Sequence, residues 1–290
     1  MTEHVPQSDV RLTDAPLGGW REATEPDGEI LGSIDDAAAR ANTEQSHIDG
    51  KLTAYDRFEK TVRESEVDDK ETAPVAAGCG TTAVSPMTGG SGDERCRQLR
   101  ERFEATVRPH SLEDVAGTEP VTETIREELG DRVALALAPD GNPRFTPQLR
   151  DGIVASIDER RAELQAMSSA VDRELTFLRK AREEIGGMID GIEETGDRYL
   201  YRYGFTELRE RHDRLEAYRT RCDRLARERQ TVLASATSYG ASAGMNHRTL
   251  IAYLYRSLPT NHPVLTAIVR LYAGCSEGQR ALRDHLARRV

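Results

Sequence analysis

Aromatic residues are scarce in this chain, 5% of 290 residues, and hydrophobic residues of all kinds reach only 37%. That is little apolar mass for one thick globular core, and the 31% of charged residues is the balance of long solvated helices. Long apolar runs are absent as well. Nowhere is there the stretch of roughly 18 apolar residues that a spanning helix needs, and the start MTEHVPQSDV has neither a basic nor an apolar segment. A cytoplasmic protein with reduced thiols is expected, without a membrane partner. Cysteine is sparse too: Cys79, Cys96, Cys222 and Cys275 form no CxxC and no tight Cys/His spacing, which excludes a recognisable zinc site or disulfide framework.

Catalytic signatures are equally lacking. His4, His47, His110, His212, His247, His262 and His285 include no HExxH, and no Ser/His/Asp trio can be nominated from spacing alone. The glycine run AAGCGTTAV around Cys79 is followed by no GK[ST] and preceded by no strand, so it reads as linker and not as a phosphate loop. No catalytic, cofactor-binding or metal-binding residue is nominated, and a non-enzymatic protein is expected. Cys222 and Cys275 fall at heptad core positions, where a thiol packs as a small apolar group.

What charge there is lies unevenly. Residues 1–75 hold 18 acids against 8 bases and carry the whole net charge of -10, while the remainder is balanced. An acidic head on a neutral body exerts no long-range pull on nucleic acid. Lysine is nearly missing: only Lys51, Lys60, Lys70 and Lys180 stand beside 36 arginines. Arginine for lysine, joined to acidity, suggests a GC-rich, salt-adapted organism.

Along the chain, residues 1–32 mix Pro, Gly and acids without a hydrophobic period and are expected to be disordered. Trp20, isolated there, is a candidate short docking motif, though incidental in most such tails. From Ser33, a candidate N-cap, the residues Ile34, Ala38, Ala41, Ile48, Leu52, Tyr55 and Val62 mark one face of a helix over 33–66, with a bend foreseen at Gly50. Residues 67–92 collapse into Gly, Ala, Thr and Pro, the composition of a flexible linker. A helical domain over 93–290 follows. Its first helix runs from Asp93 through Cys96, Leu99, Phe103 and Val107 to Pro109; VTETIREELG and RVALALA are short helices, the latter because no second strand exists for it to pair with.

The strongest pattern begins at Thr146, an N-cap candidate with Pro147 at the first helical position. Ile157, Leu164, Val171, Leu178, Ile185 and Ile192 then recur every seventh residue, with a weaker companion line of Ile153, Arg160, Met167, Glu174, Ala181 and Met188. Gly186, Gly187, Gly191 and Gly196 are expected to fray its far end. A second heptad helix holds Leu208, Leu215 and Cys222 on one line and Tyr218, Leu225 and Val232 on the other, interrupted by Arg211 and Arg229. With so short a connection the two must fold back as an antiparallel coiled-coil hairpin over 146–235. A C-terminal segment carrying Leu250, Ile251 and Leu254, then Leu265, Ile268, Leu271, Tyr272, Cys275, Leu282 and Leu286, is expected to join the helices of 93–138 in a base bundle covering Ile153 and Ile157. The predicted fold class is therefore all-α: a long antiparallel coiled-coil hairpin on a small helical base bundle, with a disordered acidic N-terminal tail.

Two features bear on function. The hairpin turn gathers Arg198, Tyr199, Tyr201, Arg202, Tyr203 and Phe205, the one dense aromatic cluster of the chain. Its plain reading is a cap that buries apolar area at the open end of the coiled coil, and its functional reading is a partner-docking surface. The arginines of RERHDRLEAYRTRCDRLARERQ are interleaved with acids, so pairs such as Glu207 with Arg211, Glu210 with Arg214 and Asp223 with Arg227 argue for a solvated face before a nucleic-acid stripe.

The segments RCRQLRERFEATVRP, PRFTPQLRDGIVASIDERRAELQAM, GFTELRERHDRLEAYRTRCDRLARERQTVL and LIAYLYRSLPTNHPVLTAIVRLY resemble an uncharacterised haloarchaeal family, a domain of unknown function rich in helices and coiled coils. The resemblance covers about residues 34–290. It implies a salt-adapted archaeal cytoplasm and a helical fold, and it carries no activity, substrate or site residue. The sequence thus points to a coiled-coil interaction or scaffold protein, binding itself or another protein. A nucleic-acid-associated regulator using the Arg-bearing hairpin is the alternative, and an enzyme of unrecognised motif comes third.

Overall fold

A computed structural model of the chain describes residues 27–67, 91–111, 120–139, 144–193, 200–234 and 247–288. Most of the tail, Trp20 included, most of the linker, and Gly196, Arg198 and Tyr199 lie outside the described residues. Within those described, the chain is all helix and has no strand. The α-helices are α1 (Asp27–Glu64), α2 (Ser91–Thr106), α3 (Val121–Leu129), α4 (Asp131–Ala136), α5 (Pro147–Glu193), α6 (Phe205–Ala234), α7 (His247–Leu254) and α8 (Pro263–Ala287), with single 3-10 turns at Arg108–His110 and Leu200–Arg202.

Local signals explain most boundaries. Thr146 Oγ1 accepts the Leu149 N–H at 3.2 Å, the N-cap foreseen for α5. Gly130 ends α3 at φ 86°, a left-handed conformation that lets the chain restart at once as α4. Two boundaries differ from expectation. Helix α1 starts at Asp27, not Ser33, whose hydroxyl donates to the Ile30 carbonyl at 3.0 Å from inside the helix. Ile30 is fully buried, so one more apolar residue pulls the start forward by more than a turn. Helix α5 likewise runs unbroken through Gly186, Gly187 and Gly191 instead of fraying. At Gly191 the reason is contact: an added Cβ would collide with the Tyr218 hydroxyl of α6. Gly50, foreseen as a bend, sits within α1 where the His110 ring lies 3.1 Å from the position of a Cβ.

The chain divides into two compact units, one from residues 1–41, 174–236 and 246–290, the other from 42–173 and 237–245. Helices α1 and α5 each contribute to both. In the first unit α6 runs antiparallel to the 174–193 part of α5: Glu174 meets Arg229, Lys180 meets Glu228 at 2.7 Å, and Arg224 meets Glu184 at 2.6 Å. This is the foreseen hairpin. On the same stretch of α5, Arg182 pairs with Asp35 of α1, and Leu31 touches the Cβ position of Gly186. Falling numbers on α1 against rising numbers on α5 make that pair antiparallel too. Helix α8 packs along α6, where Arg219 donates to the Tyr272 hydroxyl at 2.6 Å and to Gln279 at 2.8 Å.

In the second unit the 42–64 part of α1 lies along the first half of α5, with Gln45 donating to Ser168 at 2.7 Å and Arg161 to Glu59 at 2.6 Å. Phe58 of α1 meets Phe103 of α2 edge to face at 5.4 Å. Ile153, Ile157 and Leu164 are buried within this unit, whereas α7 and α8 belong to the other. The C-terminal helices thus fall in the first unit and those of 93–138 in the second, and α1 flanks α5 where the C-terminal segment was expected. The cause is legible afterwards. Helix α1 has two complete seven-residue lines: Ile34, Ala41, Ile48, Tyr55 and Val62, then Ile30, Ala37, Glu44, Lys51 and Phe58. Glu44 and Lys51 disguise the second as a gap, so the stripe expected from the sequence runs through half-buried Ala38 and Leu52 instead.

Candidate functional site

The turn between α5 and α6 is built by three local devices. A 3-10 turn at Leu200–Arg202 closes with the Tyr203 N–H donating to the Leu200 carbonyl at 3.2 Å. Gly204 stands at the N-cap of α6, and Glu207, three residues on, accepts the Gly204 N–H at 2.8 Å, one half of a capping box. The Arg211 guanidinium then lies over the Tyr203 ring, 3.6 Å from its centroid, a cation-π contact. Glu207 and Arg211, expected to pair with each other, are thus engaged elsewhere. Pairs formed along α6 include Arg209 with Asp213 at 3.8 Å, and Glu216 with Arg219 and Arg224 with Glu228, the last two at 2.8 Å.

With Tyr203 held under Arg211, its neighbours turn outward. Tyr201 is 55% exposed and Phe205 67%, and Arg202 is exposed beside them. The capping interpretation fails for these two rings, because they bury little apolar area in the unit. Of the six residues singled out in the sequence, Tyr201, Arg202, Tyr203 and Phe205 come together here, and Arg198 and Tyr199 fall outside the described residues.

Sequence reading missed two buried ionic clusters. In the first unit Arg229 makes a bidentate pair with Glu174, at 2.7 and 2.9 Å, and the Tyr255 hydroxyl donates to the same carboxylate at 2.6 Å. Glu174, Arg229 and Tyr255 are fully buried, and the Arg229 guanidinium also faces the Phe177 ring at 5.0 Å. Arg229 does not interrupt the α6 seam; it continues the line of Leu208, Leu215 and Cys222 into the core. In the second unit Glu128 of α3 receives Lys51 and Tyr55 of α1 and Arg160 of α5, with the Tyr55 hydroxyl at 2.6 Å and Arg160 Nε at 3.0 Å. Burial, then the adjoining carboxylate, push the Tyr55 and Tyr255 phenols well above their ordinary range. Burial alone would raise the Glu128 carboxyl, but the charges of Lys51 and Arg160, with the hydrogen bonds from Lys51 and Tyr55, outweigh it and hold the group below the usual carboxylate range.

The available signal was the polar residues at core heptad positions: Lys51, Arg160, Glu174 and Arg229 all stand on such lines. The Glu174–Arg229 pair is neutral and shut from solvent, and in the other cluster a buried carboxylate meets two half-buried cations, of which Arg160 also reaches Glu163 at 2.7 Å; both arrangements suit register-setting better than chemistry on a substrate. Burial raises the Cys222 thiol to about 11 and the Cys275 thiol to about 12, so neither is poised as a nucleophile. Among the described residues no group of three or more His, Cys, Asp or Glu could hold a metal ion, and no helix is long and apolar enough to cross a membrane.

Fold and site together define a helical protein of antiparallel long helices with Tyr201 and Phe205 exposed at a hairpin turn. Residues 32–279 match the family described as Domain of unknown function (DUF7260), and the chain belongs to that family. No curated protein and no solved structure matches it.

Proposed function

We propose that the protein is a non-enzymatic interaction or scaffold protein that docks a protein partner, itself or another chain, through the turn carrying Tyr201, Arg202, Tyr203 and Phe205. The observation that carries this reading is the outward placement of two large rings side by side on one turn, where the unit's other exposed large apolar side chain among the described residues, Val269, stands on α8; exposed aromatics beside arginine are the composition of interface hot spots. Coiled-coil association and a cytoplasmic, salt-adapted haloarchaeal setting belong to the same proposal, supported by the heptad lines and by the acid-rich, lysine-poor composition. The alternative of nucleic-acid association draws less support, since Arg219, Arg224 and Arg229 of α6 are already matched by acids.

A photo-reactive amino acid placed at Phe205 tests the reading in cells. Cross-links from position 205 to a second chain are expected, with none from the exposed control position Glu159. If position 205 captures no other chain, the docking surface is refuted.

A further inference from the structure

Helices α6 and α8 of the first unit meet in antiparallel order. Gln279 donates to the His212 carbonyl and to Glu216, Arg283 reaches His212, and Arg219 reaches both Gln279 and Tyr272. Tyr272 and Gln279 straddle Cys275 in the chain, so Cys275 stands level with Arg219, and Cys222 lies three residues further along the same face of α6. That offset is about 4.5 Å along the seam, at about 1.5 Å per residue. Side chains lean toward the N-terminus of their own helix, and in an antiparallel pair offset in this sense the two thiols lean toward one another.

Both sulfurs are enclosed in that seam. Cys222 and Cys275 are fully buried, and both are free thiols. Helices packed about 8–10 Å apart, with Cα atoms on cylinders of about 2.3 Å radius, bring facing Cα atoms to roughly 3–5 Å across the seam. Combined with the offset, this sets the two Cα atoms roughly 6–7 Å apart, the upper part of the span of about 4–7 Å that a disulfide bridges. The Cys275 thiol is raised first by burial and next by Cys222, so each sulfur lies within the field of the other.

We propose that Cys222 and Cys275 are a modification site, a dithiol that closes to a disulfide joining α8 to α6 when the chain meets a low-molecular-weight disulfide. One protein thiolate attacks the small disulfide, giving a mixed disulfide and releasing one small thiolate; the second protein thiolate attacks the protein sulfur of that intermediate and releases the other. The two protons of the protein thiols pass through solvent to the departing thiolates, so two protein thiols are oxidised and one small disulfide is reduced to two thiols. Burial sets the order of events. Thiols raised to about 11 and about 12 exchange only when α8 lifts from α6 and water returns them toward their ordinary value. The bond then fastens α8 in place and removes chain freedom over the long loop between the two positions, so a transient opening becomes a lasting lock.

The test incubates the purified full-length chain with oxidised glutathione in urea well below the unfolding midpoint, quenches with acid, and maps peptides without reduction. The expected product is one peptide pair joined through Cys222 and Cys275 within a single chain, formed faster as urea rises and reopened by a thiol reductant. The joined chain should melt several degrees higher than the reduced one, a gain that Cys222→Ala or Cys275→Ala removes together with the joined peptide. The peptide map of the unmodified chain is decisive even where a variant folds poorly. Cysteines that stay reduced throughout overturn the proposal, as does glutathione left on Cys222 or Cys275 with no link between them. A link made instead to Cys79, to Cys96 or to a second chain overturns it too, and so does a Cys222–Cys275 link that leaves the melting temperature unchanged or lower.

Discussion

Glu174 and Arg229 occupy core heptad positions where a leucine would pack without any electrostatic cost. Desolvating two full charges offsets most of their attraction, so such a pair adds little net stability but is severe to break. Glu174→Leu or Arg229→Met alone strands the remaining charge, and each should cost about 3–5 kcal/mol in urea unfolding. The double substitution, with Tyr255→Phe to remove the orphaned hydroxyl, should recover most of that loss. Single variants costing less than about 1 kcal/mol would show that the pair is not closed to water as the structure has it. The benefit of keeping such residues is register: only one alignment of α5 and α6 brings the carboxylate to its guanidinium.

At the scale of elements, the α5–α6 approach depends on a glycine placed opposite a tyrosine. Gly191→Ala should destabilise the first unit by about 1–3 kcal/mol, the range for overpacking. Tyr218→Phe added to it removes the colliding oxygen and should return much of the loss, checked by the same melts; a neutral Gly191→Ala would mean the helices separate freely there. How much of the elements could be read beforehand followed from whether their lines were unbroken. The series from Ile157 to Ile192 has no polar interruption, and all six residues are buried. The second line of α1 is broken by Glu44 and Lys51, so the helix over 33–66 is legible in the sequence but its place against α5 is not. Partner choice was illegible for a further reason: Asp35 and Arg182 lie 147 residues apart, and no local signal encodes a contact at that distance. The aromatic cluster at the turn could be named from composition alone, but its exposure depends on Arg211 reaching Tyr203 and Glu207 capping Gly204, geometry that spacing does not determine.

At the scale of the whole molecule, both ends of the pH scale should act through the buried clusters. Glu128 has its folded value depressed, so its contribution is present above the ordinary carboxylate range and is lost as acid protonates it. The Tyr55 and Tyr255 phenols are raised, so their contribution is complete below the ordinary phenol value of 10.0 and is lost as pH climbs beyond it, where the unfolded chain ionises first. Unfolding free energy measured against pH should therefore form a plateau with two shoulders. Glu128→Gln should flatten the acid shoulder and Tyr55→Phe with Tyr255→Phe the alkaline one, each at a cost in absolute stability. A profile whose shoulders are unmoved by these substitutions would place the titrating groups elsewhere.

Burying the Glu174–Arg229 link has one more effect, and it concerns dissolved ions. Exposed pairs such as Arg97 with Glu94 and Glu101 attract counterions and fade as electrolyte rises. A pair that water never reaches gathers no such atmosphere. The alignment of these two rods should therefore hold in fresh water and in brine alike.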